Sequence, residues 1–211
     1  MDFSEAFGAT FRWVGESERD GKPTRIVRAS RTYPTSQQDL WSAVTEKERI
    51  CRWFAEVTGD LELGGRYAIK NNAGGEITAC EPPSALTLTW EFGSNVSWVS
   101  AIVEEAKDGA FLTLEHEMPT DPESEMHWAQ YGPGATGVGW ELAFIGLDVH
   151  LSGDGQSSLD VGAAWAEGAQ GKGTLRSWAE EWGKAHVEAG APAVIATEMA
   201  DRTAGFYTGE S

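Results

Sequence analysis

The chain has 211 residues, of which 33 are acidic, 16 are basic and 10 are tryptophan, and its formal net charge at pH 7 is −17. This length fits one domain, or one domain with an extension, and allows a sizeable core. A surface this negative repels nucleic-acid phosphates and anionic lipid headgroups, so we expect neither nucleic acid nor a membrane as partner. The simplest interpretation of this charge is that an acidic surface keeps the protein soluble.

Cysteine use and the first residues indicate the compartment. Cys51 and Cys80 are the only cysteines, and no Cys-x-x-Cys spacing occurs. Two such residues predict reduced thiols rather than a disulfide framework. The first five residues include two acidic and no basic side chains and lack the charged and apolar regions of a secretion signal. No run of eighteen apolar residues exists. The expected location is the cytoplasm.

The first third of the chain predicts two strands followed by two short helices. Residues 1–20 carry scattered aromatics that suit a short helix and a strand, and residues 20–22 predict a tight turn into a strand at 26–32. Thr35 or Ser36 is placed to cap the first helix. The run 45–48 (Thr-Glu-Lys-Glu) matches a capping box for the second helix, which should end near residue 53.

The middle of the chain alternates apolar and polar residues with a period of two, which is typical of half-buried strands. Turn residues separate successive alternating runs, so the strands should pair as an antiparallel meander. The predicted strands cover residues 66–70, 76–80, 85–92, 96–105 and 110–118.

The last third predicts helices. A long helix over about 137–151 carries an apolar stripe with further apolar residues beside it, so both sides should be covered. A polar linker follows at 152–158. Two more helices come after it, one ending near Gly190 and one starting at Pro192. Their expected apolar stripes are Leu175, Trp178 and Trp182 in the first, and Ile195, Met199 and Phe206 in the second.

This order predicts an α+β fold in which a curved antiparallel sheet of six or seven strands wraps around one long helix and leaves a cavity between them. Six short motifs lie within this order: Asp39-Leu40-Trp41, Arg52-Trp53-Phe54, Leu63-Gly64-Gly65-Arg66-Tyr67, Glu81-Pro82-Pro83, Leu88-Thr89-Trp90-Glu91, and Gly139-Trp140-Glu141 with Leu147. On these motifs the chain resembles the SRPBCC superfamily, the START-like or helix-grip fold shared with the birch-pollen allergen. Within it, the chain most resembles the branch named after the activator of the ninety-kilodalton heat-shock chaperone's ATPase.

The extent of the resemblance predicts the organisation of the chain. Residues 25–152 form the expected SRPBCC/START-like domain. Residues 1–24 are then an N-terminal extension packed on this core, and residues 153–211 a helical C-terminal extension of the same structural unit. We expect that extension to support the long helix rather than to cover the mouth of the cavity.

Motifs for metal, phosphate or serine chemistry do not occur. No two histidines have metal-ligand spacing, and a Gly-x-Ser-x-Gly elbow is missing. The glycine-rich run at 168–174 has the wrong spacing for a phosphate loop and is better interpreted as a linker before a helix. No metal and no cofactor are expected. The four histidines are His116, His127, His150 and His186.

His116 is the titratable residue with the strongest case for chemistry. It shares strand parity with Leu112 and Leu114, so it should face the cavity, where a neutral imidazole can transfer a proton near pH 7. Glu141 could orient its ring, and Tyr131 is a further catalytic candidate. The simpler interpretation is a hydrogen-bonded or solvated histidine at a strand end. Glu115 and Glu117 have the opposite parity and should be solvated.

Aromatic residues come from every element that should surround the cavity. Tyr and Trp combine an apolar ring with one polar tip, which suits an aromatic ligand held by one hydrogen bond. About half of these residues should instead belong to the core. The candidate ligand-binding residues are Trp53, Tyr67, Trp90, Trp98, His116, Trp128, Tyr131, Trp140 and Phe144.

Three functions fit the sequence. The favoured one is a binding protein for a small hydrophobic or aromatic molecule. The resemblance also implies a polyketide cyclase- or aromatase-like enzyme with His116 as acid–base, and a co-chaperone-like or regulatory protein. Since one fold hosts many functions, the family name alone does not decide among them. A homodimer and another protein partner both stay open.

Overall fold

The computed structural model describes residues 10–153 and 165–210. The described residues form one eight-stranded sheet and six helices. The strands are β1 Phe11–Arg19, β2 Lys22–Tyr33, β3 Val57–Gly59, β4 Arg66–Ile69, β5 Gly74–Glu81, β6 Ala85–Phe92, β7 Asn95–Ala106 and β8 Gly109–Pro119. The helices are α1 Gln37–Thr45, α2 Lys47–Trp53, α3 Pro122–Tyr131, α4 Gly134–Leu151, α5 Ala169–Glu188 and α6 Ala193–Thr208.

The sheet is antiparallel throughout, in the order β1-β2-β8-β7-β6-β5-β4-β3. The predicted α+β helix-grip fold is confirmed, with α4 packed on β2 and the two short helices α1 and α2 covering the neighbouring sheet. The sheet has more strands than the six or seven expected, because β1 and the three-residue β3 both pair at its edges. Of the short helix and strand predicted for residues 1–20, β1 is the strand, and residues 1–9 lie outside the described residues. Residues 154–158 of the predicted linker also lie outside them.

The starts of the two short helices differ in their caps. Ser36 caps α1, since its hydroxyl accepts a hydrogen bond from the Asp39 amide at 3.2 Å. The capping box predicted for α2 is wrong. Thr45 is the last residue of α1, so its hydroxyl donates to the Trp41 carbonyl one turn earlier, at 2.7 Å. Glu46 occupies the cap position of α2 without a side-chain hydrogen bond.

Helix α3 was missed by the sequence analysis, although its start carries a recognisable signal. Asp121 accepts hydrogen bonds from the amides of Glu123 and Ser124, and Pro122 follows at the first helical position. Helix α4 also begins earlier than predicted, at Gly134, immediately after the turn that ends α3. Helix α3 has no fully buried residue, which explains the weakness of its apolar pattern.

Helices α5 and α6 pack on each other, and α5 packs on α4 and β1. Leu175, Trp178 and Trp182 of α5 are buried in the same core as α4, as the stripe predicted. The stripe predicted for α6 is wrong in two of its three positions: Met199 is buried, but Ile195 is 42% and Phe206 is 62% exposed. Small residues make the contact with α5 instead, among them Ala196 and Ala200 beside Gly183.

Close contact between α4 and α5 depends on Gly137. A methyl group at this position would lie 2.1 Å from the Trp182 ring, so Gly137→Ala must displace the indole or separate the helices. We expect a loss of about 1–3 kcal/mol in the free energy of unfolding, measured by urea denaturation. Gly173→Ala in α5 is the matched control, because it meets open space and should gain about 0.5–1 kcal/mol. Equal effects of the two changes would contradict the tight contact.

No helix within residues 10–153 and 165–210 is long and apolar enough to cross a membrane.

Candidate functional site

An internal cavity of about 130 Å³ lies between the sheet, the α1–α2 pair and α4. Its wall is almost entirely apolar. Inward-facing aliphatic residues of β5 to β8 form one side, and α4 forms the other with Trp140, Ala143 and Phe144. The sheet residues at the wall are Ile77, Cys80, Leu86, Leu88, Trp90, Val99, Ala101, Leu112 and Leu114, and Val44, Ile50, Trp53, Phe54, Val57, Leu61, Tyr67 and Ile69 complete it with Thr45.

Five predicted ligand-binding residues line this cavity, namely Trp53, Tyr67, Trp90, Trp140 and Phe144. The polar tips of three of them are held by protein atoms. The Tyr67 hydroxyl donates to the Thr89 carbonyl at 2.7 Å, and Trp53 Nε1 donates to the Ala43 carbonyl at 2.9 Å. Trp140 Nε1 donates to His116 at 3.2 Å. These three side chains therefore present apolar ring surface to the cavity, without the free polar tip that the sequence analysis expected.

The size of the cavity restricts its occupant. An apolar cavity of about 150 Å³ can stay dry and hold one benzene molecule, whereas pockets for drug-sized ligands measure about 300–1,000 Å³. A volume of about 130 Å³ accordingly fits one six-membered ring or a short branched alkyl group. A larger ligand needs space outside this wall.

His116 is buried on β8 behind Trp90 and Trp140, and both of its ring nitrogens have partners. Trp140 Nε1 is only a donor, so His116 Nδ1 accepts this hydrogen bond and the ring proton sits on Nε2. Nε2 then donates to the Ser97 hydroxyl at 2.8 Å, which itself donates to the Trp90 carbonyl. Burial lowers the pKa of His116 to about 4. The ring is consequently neutral at pH 7 and orients Trp140.

Glu141 does not approach His116, which corrects the expected pair. Residues 140 and 141 point in different directions from the helix, and the Glu141 side chain reaches Arg12 of β1 and Trp182 of α5. Its carboxylate accepts two hydrogen bonds from Arg12, at 2.6 and 2.9 Å, and one from Trp182 Nε1 at 2.7 Å. Burial raises the pKa of Glu141, and the bonds from Arg12 and Trp182 offset part of that rise. Glu141 therefore joins three elements of the core.

The two acidic neighbours of His116 are not simply solvated, as had been expected. Glu117 is buried, accepts a hydrogen bond from Thr24 at 2.7 Å and forms an ion pair with Arg19. Glu115 forms an ion pair with Arg28 at 2.5 Å. Their side of the sheet is opposite to the cavity, as the strand parity requires, but β1 and β2 supply basic side chains there.

The remaining predicted site residues lie away from the cavity. Trp98 pairs with Glu117 in the register of β7 and β8, so it lies on the opposite face, where Arg19 stacks on its ring at 4.5 Å. Its assignment to the cavity is therefore corrected. Trp128 packs against His186, with ring centroids 5.3 Å apart, and Tyr131 packs against Phe206 at 5.5 Å. Both belong to α3, which lies beyond the end of the cavity.

A second, larger cleft of about 660 Å³ opens outside the cavity. We call it the outer cleft. It lies between the β6–β7 turn, the end of β8, α3, the start of α4 and the end of α6. Trp90 and His116 belong to its wall, together with Phe92, Met118, His127, Trp128, Phe206 and Tyr207. The sequence analysis identified Trp128 but missed the aromatic pair of α6 as part of any site, because helix periodicity alone placed Phe206 in the core.

Within residues 10–153 and 165–210, no group of three or more His, Cys, Asp or Glu side chains is placed to hold a metal ion. Cys51 and Cys80 are both free thiols.

Comparisons with known proteins agree with this architecture. Residues 34–152, more than half of the chain, match the family described as Activator of Hsp90 ATPase homolog 1-like protein. The crystal structure of CalU16 from Micromonospora echinospora is similar, with 35% sequence identity, a TM-score of 0.60, and coverage of 75% of this chain and 97% of that one.

Two further solved structures extend the comparison. The solution structure of CalU16 has 31% identity and a TM-score of 0.65, and the match covers 86% of this chain and 97% of that one. MLL2253 from Mesorhizobium loti shares the fold, with 23% identity, a TM-score of 0.53, and coverage of 61% and 97%. No curated protein matches the chain. The chain belongs to the Activator of Hsp90 ATPase homolog 1-like family, within the SRPBCC superfamily.

Proposed function

We propose that this protein binds a small, neutral, apolar or aromatic molecule in its internal cavity. Family and fold fit either a ligand-binding or a co-chaperone-like protein. The observation that favours ligand binding is the cavity itself, a space of about 130 Å³ with an almost entirely apolar wall. A small apolar molecule of matching shape would make, against this wall, the kind of dispersion contacts that side chains make in closely packed protein interiors.

The two alternatives receive less support. An acid–base role for His116 would need a nitrogen free to exchange a proton near pH 7, whereas both nitrogens are hydrogen-bonded and its pKa is about 4. The co-chaperone-like alternative rests on the family description. In a binding protein, His116 has a structural role, because its hydrogen bond with Trp140 orients that side chain at the cavity wall.

Filling the cavity should abolish binding without damaging the fold. Ala101 lines the cavity from β7, and Ala101→Leu places extra side-chain volume inside it. Toluene is a suitable probe, since it is neutral and close to the size of the cavity. For the wild-type protein, toluene at about 100 times its Kd should stabilise the fold by about 2.7 kcal/mol, seen as a higher Tm. Ala101→Leu should show no such rise.

Ala79→Leu is the matched control, because Ala79 is an exposed residue of β5 and does not line the cavity. It should respond to toluene as the wild-type protein does. Equal toluene shifts for Ala101→Leu and the wild-type protein would contradict the proposal. Native mass spectrometry of the freshly purified protein complements this test, since a bound small molecule would reveal the natural ligand class.

A further inference from the structure

The internal cavity and the outer cleft share part of their walls, since Trp90 lines both. Phe54, Trp90 and Trp140 line the cavity, and the same three residues with His116 line a crevice of about 200 Å³ that leads outward. Trp90 and His116 also line the outer cleft. Cavity, crevice and cleft therefore form a continuous series. We call the dividing residues Phe54, Trp90, His116 and Trp140 the aromatic partition.

Trp140 stands at the centre of the aromatic partition. Its ring stacks on Phe54 at 5.9 Å with an interplanar angle of 13°, and it meets the edge of Trp90 at 5.3 Å. One hydrogen bond, from Trp140 Nε1 to His116 Nδ1, fixes its orientation. A rotation of this indole would break that hydrogen bond, and since the ring belongs to the walls of both the cavity and the crevice, it would change the boundary between them.

The lining of the outer cleft is aromatic and nearly uncharged. Arg25 is the cation in its wall, and both ends of its guanidinium are engaged by Glu125. The carboxylate in the wall is Glu123, which accepts a hydrogen bond from Ser94. The other polar groups are neutral side chains such as Asn72 and Thr136. With a formal charge of −17 on the whole chain, nothing in this cleft compensates an anionic ligand.

We infer that the cavity and the outer cleft form one composite site for an elongated, neutral aromatic molecule that carries hydrogen-bonding groups at one end. This inference rests on the proposed function. One apolar ring enters the cavity past Trp140, and the larger part of the molecule stacks on the aromatic walls of the cleft, where hydroxyl or carbonyl groups meet Asn72 and Thr136. A ligand of this kind exceeds the capacity of the cavity alone.

The C-terminal extension contributes directly to this composite site. Tyr207 is fixed in the wall by its hydroxyl, which donates to the Ala135 carbonyl at the start of α4, at 2.6 Å. Phe206 lies at the rim, 62% exposed, and packs against Tyr131 with the two rings tilted by 56°. Both residues lie outside residues 34–152, so the family core alone lacks this side of the cleft.

Three fluorescence and calorimetry probes test the inference on the full chain. N-phenylnaphthylamine is elongated and neutral, anilinonaphthalenesulfonate has the same skeleton with one negative charge, and toluene fits the cavity alone. The wild-type protein should bind the neutral naphthylamine at least about tenfold more tightly than the sulfonate at low salt. Phe206→Ala should weaken the binding of the naphthylamine roughly fivefold and leave the affinity for toluene unchanged. Val194→Ala, another exposed residue of α6 outside the cleft, should change neither.

Trp140→Phe tests the aromatic partition separately. It keeps an aromatic ring but removes the hydrogen bond to His116, so the association rate of the naphthylamine should rise roughly fivefold in stopped-flow measurements. If toluene binds, the cavity proposal stands, and three results would each contradict the composite site. These are equal affinity for the two naphthalene probes, the same effect of Phe206→Ala and Val194→Ala on naphthylamine binding, and an unchanged association rate in Trp140→Phe. If toluene does not bind, the cavity proposal and the inference fail together.

Discussion

Replacing Glu141 with alanine should lower the free energy of unfolding by about 3–5 kcal/mol, the largest loss that we expect from a single change. The Glu141 side chain is 1% exposed and accepts every hydrogen bond that connects β1, α4 and α5 at this point. Its removal leaves the Arg12 guanidinium, 14% exposed, without a counter-charge, and the fully buried Trp182 Nε1 without an acceptor. A buried unpaired charge costs much more than the pair contributes.

Urea denaturation of five variants would test this expectation, namely Glu141→Ala, Glu125→Ala, Glu141→Gln, Arg12→Met and the double variant Arg12→Met/Glu141→Gln. Glu125→Ala is the control, because its ion pair with Arg25 is partly exposed, with 42% exposure at Glu125, and should be worth less than about 1 kcal/mol. Glu141→Gln keeps an acceptor for Trp182 and should lose less than Glu141→Ala. Adding Arg12→Met to Glu141→Gln removes the unpaired charge and should recover part of the loss, giving a coupling energy of about 1–3 kcal/mol. Additive effects of Arg12→Met and Glu141→Gln would contradict the ion pair.

The same ion pair matters for the proposed site. Trp140 and Phe144 lie one helical turn apart and face the cavity, whereas Glu141 points to an adjacent side of α4, toward Arg12 of β1 and Trp182 of α5. Anchoring Glu141 to β1 and α5 thus fixes the rotation of the helix about its axis. We therefore expect Glu141→Gln to weaken toluene binding in proportion to its effect on stability.

The second large effect that we expect is a dependence of the free energy of unfolding on pH, caused by His116. Its pKa is about 4 in the folded protein, because burial disfavours the charged imidazolium, and about 6.5 when unfolded. As the pH falls, His116 is therefore protonated in the unfolded chain at a higher pH than in the folded protein. The contribution of His116 is therefore fully present above pH 6.5 and is lost as the pH falls through 4. The difference amounts to about 3 kcal/mol between pH 7 and pH 4.

Asp148 has an opposing effect in the same pH range. Burial raises its pKa to about 6, although the ion pair with Arg31 acts in the other direction. Its contribution is fully present below about pH 4 and is lost as the pH rises through 6. Because the two effects cancel in part, the free energy of unfolding of the wild-type protein should change little with pH. The effect of His116 is therefore measured as the difference between the wild-type protein and a His116 variant.

Urea titrations at several pH values between 4 and 7.5 would measure this difference. His116→Asn retains a neutral acceptor for Trp140, and it should lose the acid-dependent destabilisation of about 3 kcal/mol relative to the wild-type protein. Asp148→Asn should change the slope in the opposite direction, which makes it the matched control. Parallel profiles for the wild-type protein and His116→Asn would show that His116 does not titrate with a depressed pKa.

Local sequence patterns determined much of this protein. Period-two alternation from residue 66 to 118 predicted the central strands, and the stripe of α5 predicted the burial of Trp178 and Trp182. The motifs between residues 39 and 147 identified the family and the cavity-lining positions of Trp53, Trp90 and Trp140. These predictions are confirmed because the periodicity of apolar residues shows which face of a helix or strand is buried. Each helix or strand that packs in the core must bury one face.

Tertiary structure alone decided what each buried face meets. Arg12 and Glu141 form their ion pair across 129 residues, and no local pattern specifies such a partner. Packing of α6 through small residues left Phe206 exposed at the outer cleft, against the expectation from its stripe. The volume of the cavity and the closure of its wall by Trp140 depend on how helix and sheet are separated in space. That separation is set by the sum of contacts over the whole core, which no single stretch of sequence contains.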